Sequence, residues 1–308
     1  MKKRNQHYVW KHYLKPWTMN GKLFCLRDGK IFEANPDRIA SKRDFYRLKK
    51  LTDSEVLFIT GMVNQMPSAY REVRLGWLVL FYSIVKSKKH YESLGIKCEK
   101  TERQLDVEIN NFEENLHSSV EFLGMPYIEK LLKNDLSFWE EEPSRGKFAY
   151  FLGVQYFRTN NMRKRVVDNS ARFNSNLPEA WTDFVFDMEK AYGVLSHIFA
   201  TNVGDALADM KIGLLKNTSG VPLITADQPA INLKNNGNGI DIAPTMFELY
   251  YPLSPKAAIT IFQDKESLFS GNLCENDVVK LNDTIAGASL EQIYANEQGV
   301  LERYLERN

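Results

Sequence analysis

The sequence predicts an α+β protein in which a large helical region is inserted into a mixed or antiparallel sheet. The chain begins with a hairpin pattern, shows the 3.6-residue period of helices from residue 52 to about residue 210, and then returns to strand patterns. This order divides it into an N-terminal arm and hairpin (1–51), a helical region (52–210), and C-terminal strands with a final helix (211–308). We expect the first and third parts to share one sheet domain; a separate helical domain is the alternative.

The first regular element is a β-hairpin predicted over Lys22–Asn35. Its apolar runs, Leu23–Leu26 and Ile31–Phe32, flank Asp28-Gly29. This dipeptide readily adopts the positive φ angles that a tight hairpin turn requires. Asn35-Pro36 then ends the hairpin.

The helical region opens with a capping-box pattern, Thr52-x-x-Glu55. Phe148–Phe157 is apolar on nearly every side, which predicts a helix buried on all faces. Apolar residues at helical spacing predict further helices at 78–86, 105–116 and Trp181–Met210.

After residue 210 the pattern predicts short strands and one last helix. The strands are expected at Ile212–Leu215, Val221–Thr225, Ala230–Leu233, Phe247–Leu253 and Ala257–Phe262. Asparagine and glycine residues at 235–239 predict a turn, and Asn276–Leu305 is expected to be helical.

Composition excludes several classes of protein. Hydrophobic residues make up 44% of the chain and charged residues 26%, which permits a buried core and argues against disorder. The 40 basic and 39 acidic residues leave a net charge of +1, so no overall field attracts nucleic acid or a membrane. No apolar run approaches the ~20 residues of a membrane span, and the basic N-terminus lacks the apolar stretch of a signal peptide. Three widely spaced cysteines argue against disulfides and a zinc site and indicate a reducing cytoplasm.

Familiar catalytic motifs are absent from the sequence. It has no Gly-x-x-x-x-Gly-Lys phosphate loop, no Gly-x-Gly-x-x-Gly after a strand, no Gly-x-Ser-x-Gly and no His-Glu-x-x-His. Its five histidines are scattered, so a metal site rich in histidine needs partners from distant parts of the chain.

The N-terminal segment combines aromatic and basic side chains, among them His7, Lys11, Tyr13 and Lys15. In a catalytic interpretation His7 is a general acid or base, because imidazole titrates near neutral pH, and the lysines hold an anionic substrate. This composition also suits RNA, whose bases stack on rings and whose phosphates meet cations. The simpler interpretation is an arm whose aromatic side chains pack inside while its lysines face water.

Gln155 and Arg158 are polar residues at the end of the apolar helix, three positions apart and therefore on one face. A buried amide or guanidinium has to be hydrogen-bonded. Arg158 either joins a structural network with a carboxylate or carbonyl group, or lines a cavity in which it binds phosphate or carboxylate. The sequence leaves both open.

Asp227 ends an apolar segment and precedes Gln228-Pro229. A carboxylate at the end of a strand is a frequent catalytic or metal-binding position. An aspartate that bonds the backbone of its own turn is at least as common. Both interpretations of Asp227 therefore stand.

These segments together resemble a bacterial family known as domain of unknown function 4238. The similar segments are His7–Trp17, Arg43–Tyr46, Gln155–Thr159, Thr225–Pro229 and Pro252–Pro255. Trp10 and Asn160 stand where the family motifs have proline. The resemblance implies that His7, Gln155, Arg158 and Asp227 belong to one constellation.

The leading hypothesis is a nuclease or nucleotide-directed hydrolase of the kind found among toxins and phage-defence effectors, with RNA or a nucleotide as its substrate. His7 is then the general acid or base, Arg158 binds phosphate and Gln155 orients the substrate. Asp227 positions His7 or holds a divalent cation such as Mg²⁺, while Lys11 and Tyr13 line the site. The alternative is a non-catalytic sensor or interaction module in which the same residues form a buried polar network.

Overall fold

The structure, a computed structural model, describes residues 1–175, 185–234, 247–263, 267–269 and 271–306. It confirms the α+β class, because strands from both ends of the chain flank a large central helical region. The predicted turn at 235–239 and the predicted helical residues 181–184 lie outside the described residues. The division of the chain at residues 51 and 210 stays a prediction.

The order of elements along the chain follows the predicted sequence of hairpin, helices and strands. The strands are β1 (Asn5–His7), β2 (Leu23–Arg27), β3 (Lys30–Ala34), β4 (Ser41–Arg43), β5 (Lys211–Asn217), β6 (Thr225–Ala226), β7 (Ile231–Asn232), β8 (Glu248–Ser254), β9 (Ala257–Phe262), β10 (Gly271–Leu273) and β11 (Ile293–Ala295). The helices are α1 (Asp53–Gln65), α2 (Arg71–Ser93), α3 (Glu99–Leu132), α4 (Glu142–Phe157), α5 (Asn160–Asp168), α6 (Ser170–Ser175), α7 (Met188–Ala208), α8 (Glu275–Ala288) and α9 (Gln298–Glu302). None of these helices is long and apolar enough to cross a membrane.

The two ends of the chain meet in a four-stranded antiparallel sheet with the order β3-β2-β11-β6. In it the N-terminal hairpin pairs with β11, where Cys25 lies opposite Tyr294. A second sheet, in the order β10-β5-β9-β8-β7, contains the other C-terminal strands, and its β10–β5 pair is parallel. The third sheet is the antiparallel pair of β1 and β4, so the described strands form three sheets where the sequence predicted one.

Short-range sequence signals are confirmed at two places. Asp28 and Gly29 join β2 to β3 with φ angles of 51° and 67°, the left-handed values of a two-residue hairpin turn. Thr52 begins α1 with the predicted capping box: its hydroxyl accepts a bond from the Glu55 amide, and the Glu55 carboxylate accepts one from the Thr52 amide. Each signal lies within a few residues, so it does not depend on distant contacts.

The single helix predicted over Asn276–Leu305 is divided in the structure: α8 and α9 are helical, but a strand lies between them. α8 ends at Ala288, and Ile293–Ala295 form the strand β11 between β2 and β6. All three residues of β11 are buried. Because buried backbone groups need partners, pairing with a strand on each side outweighs the local helical pattern.

The strand predicted over Val221–Thr225 is also shorter than expected, since pairing begins at Thr225. The amides of Leu223 and Ile224 have other partners, the carbonyl of Pro255 at 3.0 Å and the side chain of Asn282 at 2.9 Å. Side-chain and turn contacts therefore satisfy this backbone in place of a neighbouring strand.

The helix α4 lies in the core, as its apolar sequence predicted, with seven residues buried between Phe148 and Gln155. It packs closely against α7, since glycine removes the side chain at two contacts. A Cβ on Gly153 would lie 2.5 Å from the carbonyl oxygen of Ala200, and one on Gly204 would lie 2.9 Å from the Cα of Tyr150. The two backbones therefore approach each other more closely than larger residues allow.

Candidate functional site

The guanidinium of Arg158, at the C-terminal end of α4, is buried and bonded within the protein. Its Nη1 donates to the Glu121 carboxylate on α3, its Nη2 to the carbonyl oxygen of His7 at 2.6 Å, and its Nε to the Tyr46 hydroxyl at 3.3 Å. Only 2% of Arg158 is exposed. Burial disfavours the charge, but Tyr46 and Glu121 more than offset this and raise the pKa of Arg158. We call Arg158, Glu121, His7 and Tyr46 the Arg158 network.

Tyr46 connects this network to the N-terminal strand β1. Its hydroxyl donates to the carbonyl of Arg158 at 3.1 Å, and its amide donates to the side chain of Gln6 at 2.6 Å. Gln6 is fully buried and donates in turn to the carbonyl of Asn110 on α3 at 2.7 Å. Hydrogen bonds therefore join β1, the segment after β4, α3 and the end of α4.

His7 meets Arg158 through its backbone and not through its ring. The ring is partly buried, and its Nε2 has no hydrogen-bond partner among the described residues. Burial lowers the pKa of His7, and the charges of Lys11 and Arg158 lower it further, against a hydrogen bond to the backbone of Asp37. A neutral imidazole can accept a proton, but the catalytic role of His7 stays a prediction.

The carboxylate of Asp227, which follows β6, accepts hydrogen bonds from backbone amides. Its Oδ1 accepts one from Leu290 at 2.8 Å, and its Oδ2 accepts two, from Glu291 at 2.7 Å and Gln292 at 3.0 Å. Burial raises the pKa of Asp227 to about 6, although the three amides act in the opposite direction. These bonds hold the turn between α8 and β11, and the ring of His7 is not among the hydrogen-bond partners of Asp227.

The motifs at Gln155–Thr159 and Thr225–Pro229 meet through Thr159 and Gln228. The hydroxyl of Thr159 donates to the side-chain oxygen of Gln228, and both residues are buried. This contact joins the end of α4 to the segment after β6. The motif segments therefore lie close together, although the contact between them is closed to solvent.

The other candidate residues differ in exposure. Tyr13 is buried, and its hydroxyl lies 2.7 Å from that of Thr225. Gln155 is 1% exposed, and its Nε2 has no hydrogen-bond partner in the described parts of the chain. Lys11 lies at the surface and pairs with Asp37 at 3.1 Å. Tyr13 and Gln155 therefore belong to the core, and Lys11 belongs to the surface.

The sequence motifs do not reveal a second buried cluster, formed by Glu113, His117 and His197. Glu113 and His117 lie one turn apart on α3, and His197 approaches them from α7, so that one ligand atom of each lies within 4.8 Å of the others. The spacing Glu-x-x-x-His is a signal in the sequence, since it places both side chains on one helix face. Nothing in the sequence places His197 beside them. We call these three residues the His–Glu cluster.

Burial determines the electrostatics of the His–Glu cluster. It raises the pKa of Glu113 to about 8, although Arg163 and Arg158 oppose this. It lowers the pKa of His197 to about 3 and that of His117 well below the usual value, so both rings are neutral at pH 7. The Oε1 of Glu113 and the Nε2 of His117 are 3.6 Å apart, too far for a hydrogen bond. Each unpaired buried polar group costs about 1–3 kcal/mol.

An open groove lies between α5 and the segment that runs from β4 to residue 49, and its volume is about 770 Å³. Six basic side chains line it: Lys42, Arg43, Arg47, Lys49, Arg163 and Lys164. Four acidic side chains, Asp44, Asp168, Glu189 and Glu291, also line it and neutralise part of this charge. Lys164 is exposed and has no ion-pair partner among the described residues. We call this feature the basic groove.

A smaller cavity, of about 30 Å³, adjoins the basic groove. It shares Phe45, Arg47 and Arg163 with the groove and is also lined by the buried Glu113 and by Gly193. The lining of this cavity therefore includes residues of the groove and one residue of the His–Glu cluster, Glu113.

Comparison with known proteins identifies the family of the chain but no activity. The family described as protein of unknown function (DUF4238) matches residues 5–299. The chain belongs to this family. No curated protein and no solved structure matches the chain. Membership of DUF4238 confirms the family that the sequence motifs resemble.

The Arg158 network predicts a large effect of Arg158→Ala on stability. This substitution leaves the Glu121 carboxylate without its buried partner, so we expect the free energy of unfolding to fall by about 3–5 kcal/mol. Urea unfolding followed by circular dichroism measures it. Arg103→Ala is a matched control, because it removes an exposed ion pair with Glu99 and should change stability by less than about 1 kcal/mol. Equal losses in the two variants would contradict a structural role of the network.

The raised pKa of Asp227 predicts a pH dependence of stability. An aspartate in the unfolded chain titrates near ~3.9, and Asp227 in the folded chain titrates at about 6. Between these values the folded state keeps a proton that the unfolded state has lost, so stability falls as the pH rises. Relative to Asp227→Asn, which does not titrate, the wild type should lose up to about 3 kcal/mol from pH ~4 to pH ~6. Urea unfolding of both proteins across this range measures the difference, and a flat or rising difference would contradict the prediction.

Proposed function

We propose that the protein is a sensor or interaction module that binds a phosphate-bearing ligand, RNA or a nucleotide, in the basic groove. The observation that carries this proposal is the presence of six basic side chains around one open groove. With the four acidic side chains of the same lining, the six basic ones leave the groove a formal charge of +2, and this local excess attracts anions. The groove volume of about 770 Å³ lies within the range of small-molecule sites. The three cysteines are free thiols, which is typical of a reducing compartment, and we propose the cytoplasm as the location.

The hydrogen bonds of Arg158 indicate that a phosphate-bearing ligand binds at another surface of the protein. Each of its three side-chain nitrogens already donates to a protein group, and the residue is 2% exposed. A phosphate could reach the guanidinium only by displacing Glu121, the His7 carbonyl or the Tyr46 hydroxyl. Two cations of the basic groove are available without such a rearrangement: Lys164, which has no ion-pair partner among the described residues, and Arg43, whose side chain is 78% exposed.

The bonding of Asp227 supports the same conclusion. Both of its carboxylate oxygens accept hydrogen bonds from backbone amides, and a divalent cation such as Mg²⁺ would have to replace those hydrogen bonds. Asp227 therefore supports the turn that leads into β11. In this proposal the motif residues build the fold that carries the groove.

A second candidate function is the phosphodiester-cleaving hydrolase, a nuclease or nucleotide-directed enzyme acting as a toxin or phage-defence effector. The small cavity beside the groove favours it, because Glu113 is among the residues that line this cavity. A ligand in the groove would then have a buried carboxylate and two imidazoles nearby, groups that transfer protons in many hydrolases.

Binding of RNA tests the proposed groove. We expect a fluorescein-labelled single-stranded RNA to bind the wild type, and Lys164→Ala or Arg43→Ala to weaken binding. Because each lost phosphate contact removes about 0.7 from the slope of log affinity against log salt, the slope should become shallower. Lys133→Ala, which removes an exposed lysine at the end of α3, is the matched control. Fluorescence anisotropy at several salt concentrations, with competition by ATP, measures both quantities.

Two results would contradict the groove proposal. One is a wild type that binds neither RNA nor ATP. The other is a pair of groove variants whose affinity and salt dependence equal those of Lys133→Ala.

Product analysis separates the two candidate functions. The binding module predicts that RNA, DNA and nucleotides stay intact when incubated with the protein, with Mg²⁺ or with EDTA. Gel electrophoresis and chromatography detect any products. Products that form with the wild type and Lys133→Ala, but not with His7→Ala or Glu113→Gln, would contradict a purely binding role and support the hydrolase.

A further inference from the structure

We propose that the His–Glu cluster binds one divalent metal ion of the class that includes Zn²⁺ and Fe²⁺. The ligands are a carboxylate oxygen of Glu113 and one imidazole nitrogen each from His117 and His197. This inference does not depend on what binds in the basic groove.

The backbone places the three ligands around one point. Glu113 and His117 project from the same face of α3, and His197 faces them from α7. The ligand atoms of a tetrahedral site with metal–ligand distances of about 2.0–2.1 Å lie about 3.4 Å apart. The Oε1 of Glu113 and the Nε2 of His117 are already 3.6 Å apart, and the whole set lies within 4.8 Å. A small contraction of the three side chains around the ion completes the arrangement.

Unpaired nitrogens are the second, independent observation. Both ring nitrogens of His117 and the Nε2 of His197 have no hydrogen-bond partner in the described part of the structure, although each histidine is only 1% exposed. Core histidines ordinarily have hydrogen-bonded ring nitrogens. A metal ion gives each ring the partner that the protein does not supply.

The surroundings of His197 match those of a metal ligand. Its Nδ1 lies 3.0 Å from the hydroxyl of Tyr150. Ligating histidines usually bond through the other ring nitrogen to a polar group, and this bond fixes the orientation of the ring. Tyr150 is therefore a positioning residue that leaves the Nε2 of His197 free for the metal.

The donor atoms determine the class of metal. Two neutral imidazoles and one carboxylate suit zinc, iron, cobalt or nickel, whereas Mg²⁺ and Ca²⁺ prefer sites made of oxygen ligands. Three protein ligands leave a coordination position open, as in catalytic zinc sites. The cavity lined by Glu113 and Gly193 lies beside the cluster and is an entry route for the ion.

Metal binding can be measured directly on the full-length chain, prepared without a polyhistidine tag. After dialysis against a chelator and removal of the chelator, we expect one equivalent of Co²⁺ to bind and to give visible absorption bands. One equivalent of Zn²⁺ should abolish these bands and raise the melting temperature. Elemental analysis of protein that was purified without any chelator should find close to one transition-metal ion per chain.

Variants assign the site. Glu113→Gln, His117→Gln and His197→Gln should each weaken Co²⁺ binding by more than about 100-fold, and Tyr150→Phe by about 10-fold, as expected for an outer partner. His90→Gln is the matched control, since His90 is an exposed histidine on α2, and it should bind Co²⁺ like the wild type. Circular dichroism checks that each variant folds.

Two results would overturn the proposal: a wild type that binds neither Co²⁺ nor Zn²⁺, and folded ligand variants that bind as tightly as His90→Gln. If the ligand variants do not fold, X-ray absorption on the zinc-loaded wild type decides the matter. We expect two imidazole ligands with zinc–nitrogen distances of about 2.0–2.1 Å. A spectrum that shows no imidazole bound to zinc would exclude the site.

Discussion

The positive charge of Arg158 lies in the core, and the protein tolerates it because groups from distant segments surround it. A buried ion without partners costs several kcal/mol, so Glu121, the His7 carbonyl and the Tyr46 hydroxyl have to come together when the chain folds. This requirement holds β1 and the segment after β4 against α3 and α4. The ring of Tyr46 also packs on His117, with ring centroids 4.5 Å apart. The Arg158 network and the His–Glu cluster therefore adjoin in one polar layer of the core.

The predictable parts of the fold depend on short-range signals. The turn at Asp28-Gly29, the capping box of α1 and the buried helix α4 all follow from residues a few positions apart, and the structure confirms them. Strand β11 could not be predicted in this way. Its helical surroundings suggested a helix, whereas its conformation depends on β2, which lies more than 260 residues earlier in the chain. The pairing of distant strands decides such elements, and one sequence does not contain that information in readable form.

The candidate site shows the same limit at the level of single side chains. The position of Arg158 in an apolar helix indicates a buried charge that needs partners, and the structure contains such partners. Their identity could not be predicted, because Glu121 and Tyr46 are 37 and 112 positions away. The chemistry of Glu113 and His117 was visible as a spacing on one helix, but their third neighbour, His197, comes from a different helix. Residue type indicates what a group can do, and only the fold shows which groups it meets.

The glycine contacts between α4 and α7 have a mechanical consequence. At most helix interfaces, side chains fill the space between the two axes. At Gly153 and Gly204 the backbone of one helix contacts the backbone of the other, so no side chain separates the helices at these two points. We therefore expect the two helices to move as one unit, which keeps Arg158 at the end of α4 in a fixed position relative to His197 on α7.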